Sequence, residues 1–176
     1  MKKSISLLLL VLLSGCICAL SHQQENDPWV KYRPRKLSEV IKANNSADMQ
    51  QQPGIAIVTG STTIKARVIY GGRSRPIPDD KRSLIKLWMQ SNRYSEEVFR
   101  MFAEEFLFSE DGIEYWLPVQ SVLIPHLKTE MRKGQSLDLF TAWIGVTFAE
   151  AGNRQHVFLV NEFEKTETPR KQRRPA

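Results

Sequence analysis

From residue 54 onward the apolar pattern switches repeatedly between a two-residue and a helical period, and that switching confines the chain to a mixed α+β fold. Thr62, Ile64, Ala66, Val68 and Tyr70 alternate with Thr63, Lys65, Arg67 and Ile69, the pattern of a half-buried strand. A β-favouring run over 55–59 precedes it. Glycine first in the two-residue connection Gly60-Ser61 predicts a type II′ hairpin, which Gly71-Gly72 ends. Asp79-Asp80 supply a cap and first-turn charge for a helix over 79–90 that turns Leu84, Ile85, Leu87 and Trp88 inward. After a break at 91–94, Ser95 opens a second predicted helix with Val98, Phe99, Phe102 and Phe106 at helical spacing, and the two helices form a hairpin.

Asp111-Gly112 then turns the chain into a strand over 113–119, where Pro118 favours an edge or terminal position. A helix is predicted over 121–132, with Pro125 in its first turn and Leu123, Ile124, Leu127 and Met131 inward. A strand over 136–148, bent at Gly145, is followed by a turn and a last strand over 155–163. With the helical hairpin set aside as an insertion, five strands with one helix between the third and fourth give the element order of a small antiparallel five-stranded OB-like barrel. The alternative is an open antiparallel sheet covered by helices.

A chain of 176 residues holds one such domain with flanking segments. The formal charge of +6 invites a reading as a nucleic-acid or anionic-membrane binder, so its distribution matters. Residues 54–164 carry thirteen basic and fourteen acidic side chains, and the segment 165–176 carries five basic ones (Lys165, Arg170, Lys171, Arg173, Arg174) against Glu167. The surplus thus lies outside a nearly neutral domain, which counts against nucleic acid and leaves anionic-surface contact to the tail.

The first residues read as an export signal. Lys2 and Lys3 precede an apolar run over 5–13 that is too short to span a bilayer, for which about 20 apolar residues are needed. Leu13-Ser14-Gly15-Cys16 resembles the lipobox of bacterial lipoproteins. The resemblance implies cleavage before Cys16, a diacylglyceryl group on its sulfur and anchoring to a bacterial membrane. Ile17 stands where an aspartate would signal inner-membrane retention, so an outer-membrane destination is allowed where the host has one. Conventional cleavage to a secreted or periplasmic protein is the alternative. The expected organisation is a signal peptide over 1–15, a lipidated N-terminus and polar tether over 16–53, a single α+β domain over 54–164 and a basic disordered tail over 165–176. Within the tether, 35–43 is a short predicted helix with Leu37, Val40 and Ile41 on one face, able to cover part of the domain.

Both cysteines, Cys16 and Cys18, fall in the export region, so no disulfide framework or cysteine metal site is expected in the domain. His22, His126 and His156 lack metal-type spacing, and no cofactor is implied. Glu104, Glu105, Glu110, Asp111 and Glu114 are candidates for paired-carboxylate hydrolysis, but their adjacency reads better as a solvated helix end and turn. Gly71-Gly72-Arg73-Ser74-Arg75 is basic and glycine-rich without matching a known phosphate loop. No catalytic residue is assigned. Strand alternation puts Tyr115, Leu117 and Val119 on one face and Glu114, Trp116 and Pro118 on the other, making Trp116, with Trp143 on the following strand, the preferred ligand-contact candidates, while core packing is the favoured reading for each. The function these features favour is a lipid-anchored, non-catalytic envelope module that binds an envelope protein or glycan. An exported hydrolase or transferase is the alternative, and a nucleic-acid binder comes after it.

Overall fold

The computed structural model describes residues 29–45, 55–148 and 154–166, with backbone alone over 55–60. Cys16, Cys18, His22, Arg170, Lys171, Arg173 and Arg174 lie outside them. A compact unit begins at Lys31 and contains all of the described strands and helices.

Its elements are β1 (Arg33–Pro34), α1 (Leu37–Asn44), β2 (Ile55–Pro76), α2 (Asp79–Ser91), α3 (Glu96–Arg100), β3 (Phe102–Glu110), β4 (Ile113–Gln120), a 3-10 turn (Ser121–Leu123) leading into α4 (Ile124–Glu130), β5 (Ser136–Phe148) and β6 (Arg154–Lys165). The fold is α+β, with a six-stranded sheet in the order β1-β2-β3-β4-β6-β5. A further pairing of β2 with β5 closes it into a ring, which removes the open-sheet alternative.

Closure depends on β2. Its 22 residues exceed what one ladder can use, and the strand changes partner along its length. From Ile55 to Ile69 it pairs antiparallel with β5, and from Ile69 to Pro76 with β3. The switch falls at Gly71-Gly72, where the β3 register shifts between Tyr70 and Ser74. A side chain at Gly71 would place its Cβ 2.8 Å from the Leu107 main-chain oxygen, and Gly72 has a φ of +69°, so both positions favour the residue that lacks a Cβ.

The hairpin predicted over 55–70 is therefore not formed. Gly60-Ser61 lies within a continuous strand, at an irregularity between Ile57 and Thr62, because the same strand β5 takes up the pairing on either side of it. The second predicted helix is also shorter than expected. It stops at Arg100, and Phe102 and Phe106 belong to β3, whose even-numbered residues Phe106 and Phe108 point into the ring. A spacing of four satisfies both a helix face and a strand face, and here tertiary pairing decides for the strand. Asp111 (φ 51°) and Gly112 (φ 82°) make the tight β3–β4 connection, with both central residues left-handed as a type I′ hairpin requires.

The interior holds Ile64, Val68, Phe106, Leu117, Leu139, Trp143, Phe158 and neighbouring side chains, nearly all without exposed surface. Leu37 and Val40 of α1 and Leu127 of α4 join this cluster. The segment read as tether thus contains a strand bridged in parallel to β2, Arg33 opposite Ile64, and a helix that contributes to the core. A second cluster forms where α2 lays Leu84, Ile85, Trp88 and Met89 on Ala142, Ile144, Val157 and Leu159. Covered on both sides, β5 is an almost continuous buried run. Leu87, predicted inward, is 41% exposed; the stripe continues instead through Lys81, which is buried. The ring's remaining seam is the parallel bridge Val119–Val160, supported by the Gln120 amide donating to Asn161 Oδ1 at 3.0 Å.

Candidate functional site

Alternation along β4 sends Leu117 and Val119 into the interior and leaves Trp116 facing away from it. Across β3 from Trp116, on that outward face, are Arg73 and Arg75, two residues apart at the end of β2 and hence on one side of the strand. The Arg75 guanidinium carbon lies 4.1 Å from the Trp116 ring centroid and that of Arg73 5.7 Å, both within cation–π range.

A buried carboxylate orders this arrangement. Glu105 on β3 has no exposed surface and receives Arg75 Nε on Oε1 at 2.6 Å and Lys81 Nζ on Oε2 at 2.7 Å. Lys81 also donates to the Trp116 carbonyl oxygen at 3.1 Å, so α2 is tied to the backbone that carries the tryptophan. One carboxylate serves two cations, and the triad keeps a net positive charge whose exposed member is Arg75. Arg73 meets Glu114 at 3.4 Å with both side chains 60% exposed, a contact that solvent screens.

Next to this surface lies a cavity of about 420 Å³ whose lining includes Tyr70, Gly71, Arg73, Leu107, Glu114 and Lys133. Gly72 borders Lys133 closely: a Cβ there would stand 3.0 Å from Lys133 Cβ. The basic glycine-rich stretch singled out in the sequence is therefore one wall of a hollow with Lys133 opposite, a juxtaposition that the long separation of Arg73 from Lys133 along the chain conceals.

Trp143, the other ligand-contact candidate, is in the interior and 2% exposed, so the structure does not bring it together with Trp116. Its indole N–H donates to His156 Nδ1 at 3.2 Å, and His156 Nε2 meets Asn45 Oδ1 at 2.9 Å. Because the indole can only donate, Nδ1 accepts and Nε2 carries the proton. Burial, then the charge of Arg154, pushes the His156 pKa below its ordinary value. His126 is at the surface beside Glu130, at 3.0 Å. Lys165, read as the start of the tail, is the last residue of β6 and pairs with Glu130 at 2.7 Å.

The five acidic candidates are each engaged. Glu104 meets Lys128 at 3.4 Å, Glu105 is held by Arg75 and Lys81, and Asp111 takes Lys36 at 2.7 Å. Glu114 faces Arg73. Glu110 caps α1 from across the fold: it accepts from the Leu37 N–H at 2.9 Å and from the Ser38 N–H and hydroxyl at 3.0 and 2.9 Å. A larger cleft of about 780 Å³ lies between α1 and β2, lined by Arg35, Lys36, Lys65, Arg67 and Asp138 among others. Its charges are matched internally. Arg67 grips Asp138 through two hydrogen bonds of 2.8 and 3.1 Å, and that contact holds the Asp138 carboxyl below its usual range.

Among the described residues no group of three or more His, Cys, Asp or Glu side chains could hold a metal ion, and no helix is long and apolar enough to cross a membrane. No protein-family model, curated protein or solved structure matches the chain.

Proposed function

We propose that the chain is a lipid-anchored cell-envelope protein, held through Cys16, in which an OB-like barrel serves as a non-catalytic module binding an envelope protein or glycan. The observation that carries the binding reading is Trp116 beside Arg73 and Arg75 on the outward face, with a buried Glu105–Lys81 pair fixing the platform from behind. Aromatic and guanidinium groups held in this way offer stacking area and hydrogen-bond donors without assembling a nucleophile and base.

The barrel reading is supported by the strand order β2-β3-β4-β6-β5 closing on β2, with α4 between the third and fourth ring strands and a parallel bridge joining the third and fifth. In that reading Trp116 lies on the third strand, on the face where OB folds receive ligands. The anchor is supported by the lipobox-like segment.

A photo-crosslinking residue in place of Trp116 tests the reading in intact cells. The expected result is a discrete envelope adduct that is absent when the same group replaces Leu87, exposed on α2. Equal labelling from both positions, or from neither, refutes the site. Cys16→Ser tests the anchor: normal maturation and unchanged membrane fractionation refute it.

A further inference from the structure

We infer that the Trp116 surface takes a saccharide bearing an anionic group, phosphate or carboxylate, with the anion drawn into the hollow shared by Arg73 and Lys133 and the sugar ring against Trp116. This rests on the proposed binding role of that surface and names its ligand class.

Three observations converge on it. Glu105 is outnumbered by Arg75 and Lys81, so the platform faces solvent with an uncompensated positive charge. Arg73 is opposed by Glu114 alone, through a 3.4 Å contact between two exposed side chains that an incoming anion can replace at little cost. The hollow beside them, about 420 Å³, is large enough for a monosaccharide unit and holds a second cation, Lys133, brought close by the missing side chain of Gly72. The larger cleft near α1 has no such surplus, since Lys36, Lys65 and Arg67 are each matched by a carboxylate.

A planar guanidinium suits either anion through paired N–H donors, and the ammonium of Lys133 adds a point charge without geometric demand. A sugar packs its C–H groups along the edge of the Trp116–Arg75 stack, leaving its hydroxyls to water or to the outer N–H groups of Arg75. A neutral sugar lacks the attraction that the two cations supply.

The test is a titration followed at the Trp116 indole resonance by NMR, with Trp116→Phe assigning the signal. The probes are glucose 6-phosphate, a trigalacturonate and neutral maltotriose. Saturable shifts are expected with one or both anionic probes, with Kd on the order of 1 mM for so small a ligand, and none with maltotriose. A response to the phosphate alone or to the uronate alone assigns the anion. Arg73→Glu with Lys133→Glu is expected to weaken binding at least tenfold, and Arg73→Lys to retain part of it. Near-UV circular dichroism of each variant reports the fold.

The inference is overturned if neither anionic probe saturates, if maltotriose binds equally, or if the charge-reversed protein binds as well as the original. Crosslinking from position 116 separates this failure from that of the binding reading. An envelope adduct that persists in the charge-reversed protein leaves the site standing and removes the anion; loss of the adduct on charge reversal supports both.

Discussion

Removing the Glu105 charge should cost far more than removing the Lys81 charge, although the two form one ion pair. Glu105→Gln keeps the size and leaves Lys81, 4% exposed, as a buried ammonium with an amide and the Trp116 carbonyl for company. Breaking a buried pair in this way costs about 3–5 kcal/mol. Lys81→Met leaves Glu105 still bound by Arg75 at 2.6 Å, so the lost contribution is a charged hydrogen bond, about 1.5–3 kcal/mol, partly offset by burial of the methionine. Arg75 is 45% exposed, so its own pairing counts for about 1 kcal/mol or less. Converting the whole pair, Lys81→Met with Glu105→Leu, should return stability to within about 1–2 kcal/mol of the original, since buried ion pairs are often matched by apolar replacements. Denaturant unfolding of Lys81→Met, Glu105→Leu, their combination and the original protein closes the cycle, with Glu105→Gln measured beside it. With roughly 3–5 °C in Tm per kcal/mol for a domain of this size, Glu105→Gln should melt about 10–20 °C lower. The reasoning is refuted if Glu105→Gln is no more harmful than Lys81→Met, or if the single losses simply add in the double variant.

Glu110→Ala removes three acceptor contacts from the first turn of α1, which has no side-chain cap of its own, and should cost about 1–3 kcal/mol; faster amide exchange across Leu37–Asn44 is the specific readout. Gly71→Ala forces a Cβ against Leu107 and should cost about 1–3 kcal/mol in denaturant unfolding, whereas a loss below the measurement error would show that the two strands separate freely there. His156 has a lowered pKa in the folded protein, so the unfolded chain binds its proton more readily. Its stabilising contribution is complete above the ordinary value of about 6.5 and falls as the pH drops towards the depressed value. Unfolding measured between about pH 7.5 and 5 should show this decline, and His156→Gln should flatten it; an unchanged slope refutes the assignment. Asp138, also lowered but as a carboxylate, withdraws its contribution only below about pH 4, and Asp138→Asn should reduce the acid lability there.

The fold class was legible because its cues are local. Alternation over 113–119 and 136–148, the Asp111-Gly112 turn and the apolar spacing of 121–132 each specify an element by themselves, and those elements form where expected. The sheet has six strands against the five expected: β1 is added, and among the strands of the closed ring two errors offset each other. Residues 55–59 and 62–70, read as two strands, are one strand, while 102–110, read largely as helix, supplies the missing one. Both errors have the same origin. Gly60-Ser61 is a good turn in isolation and a tolerable irregularity beside β5, and Phe102 and Phe106 suit either period; the choice belongs to β5 and to the pairings of β3 with β2 and with β4, which no local window contains. The packing of α1 was half legible. Its apolar face, Leu37 and Val40, was evident, but the carboxylate that caps it is 73 residues away.

The candidate site divides along the same line. The outward position of Trp116 is legible because strand alternation needs only its neighbours, and Trp143 takes the core position favoured for it over ligand contact, a choice alternation alone cannot make when α2 covers the other face of β5. Lys81 left a signal that could have been read: it stands three, four and seven residues before Leu84, Ile85 and Trp88, the place of an apolar residue on the buried stripe. A lysine in that place implies a buried acid, and the acidic residues around 104–114 were the supply. What remained invisible was which acid. Glu105 can serve only as an outward-facing strand residue beside β2; as the helical residue first expected it would have pointed elsewhere. The correction from helix to strand over 102–110 therefore supplies more than a sheet pairing. It joins the buried lysine on the stripe of α2 to a tryptophan that faces away from the core, and the positive platform at Trp116 follows from that junction.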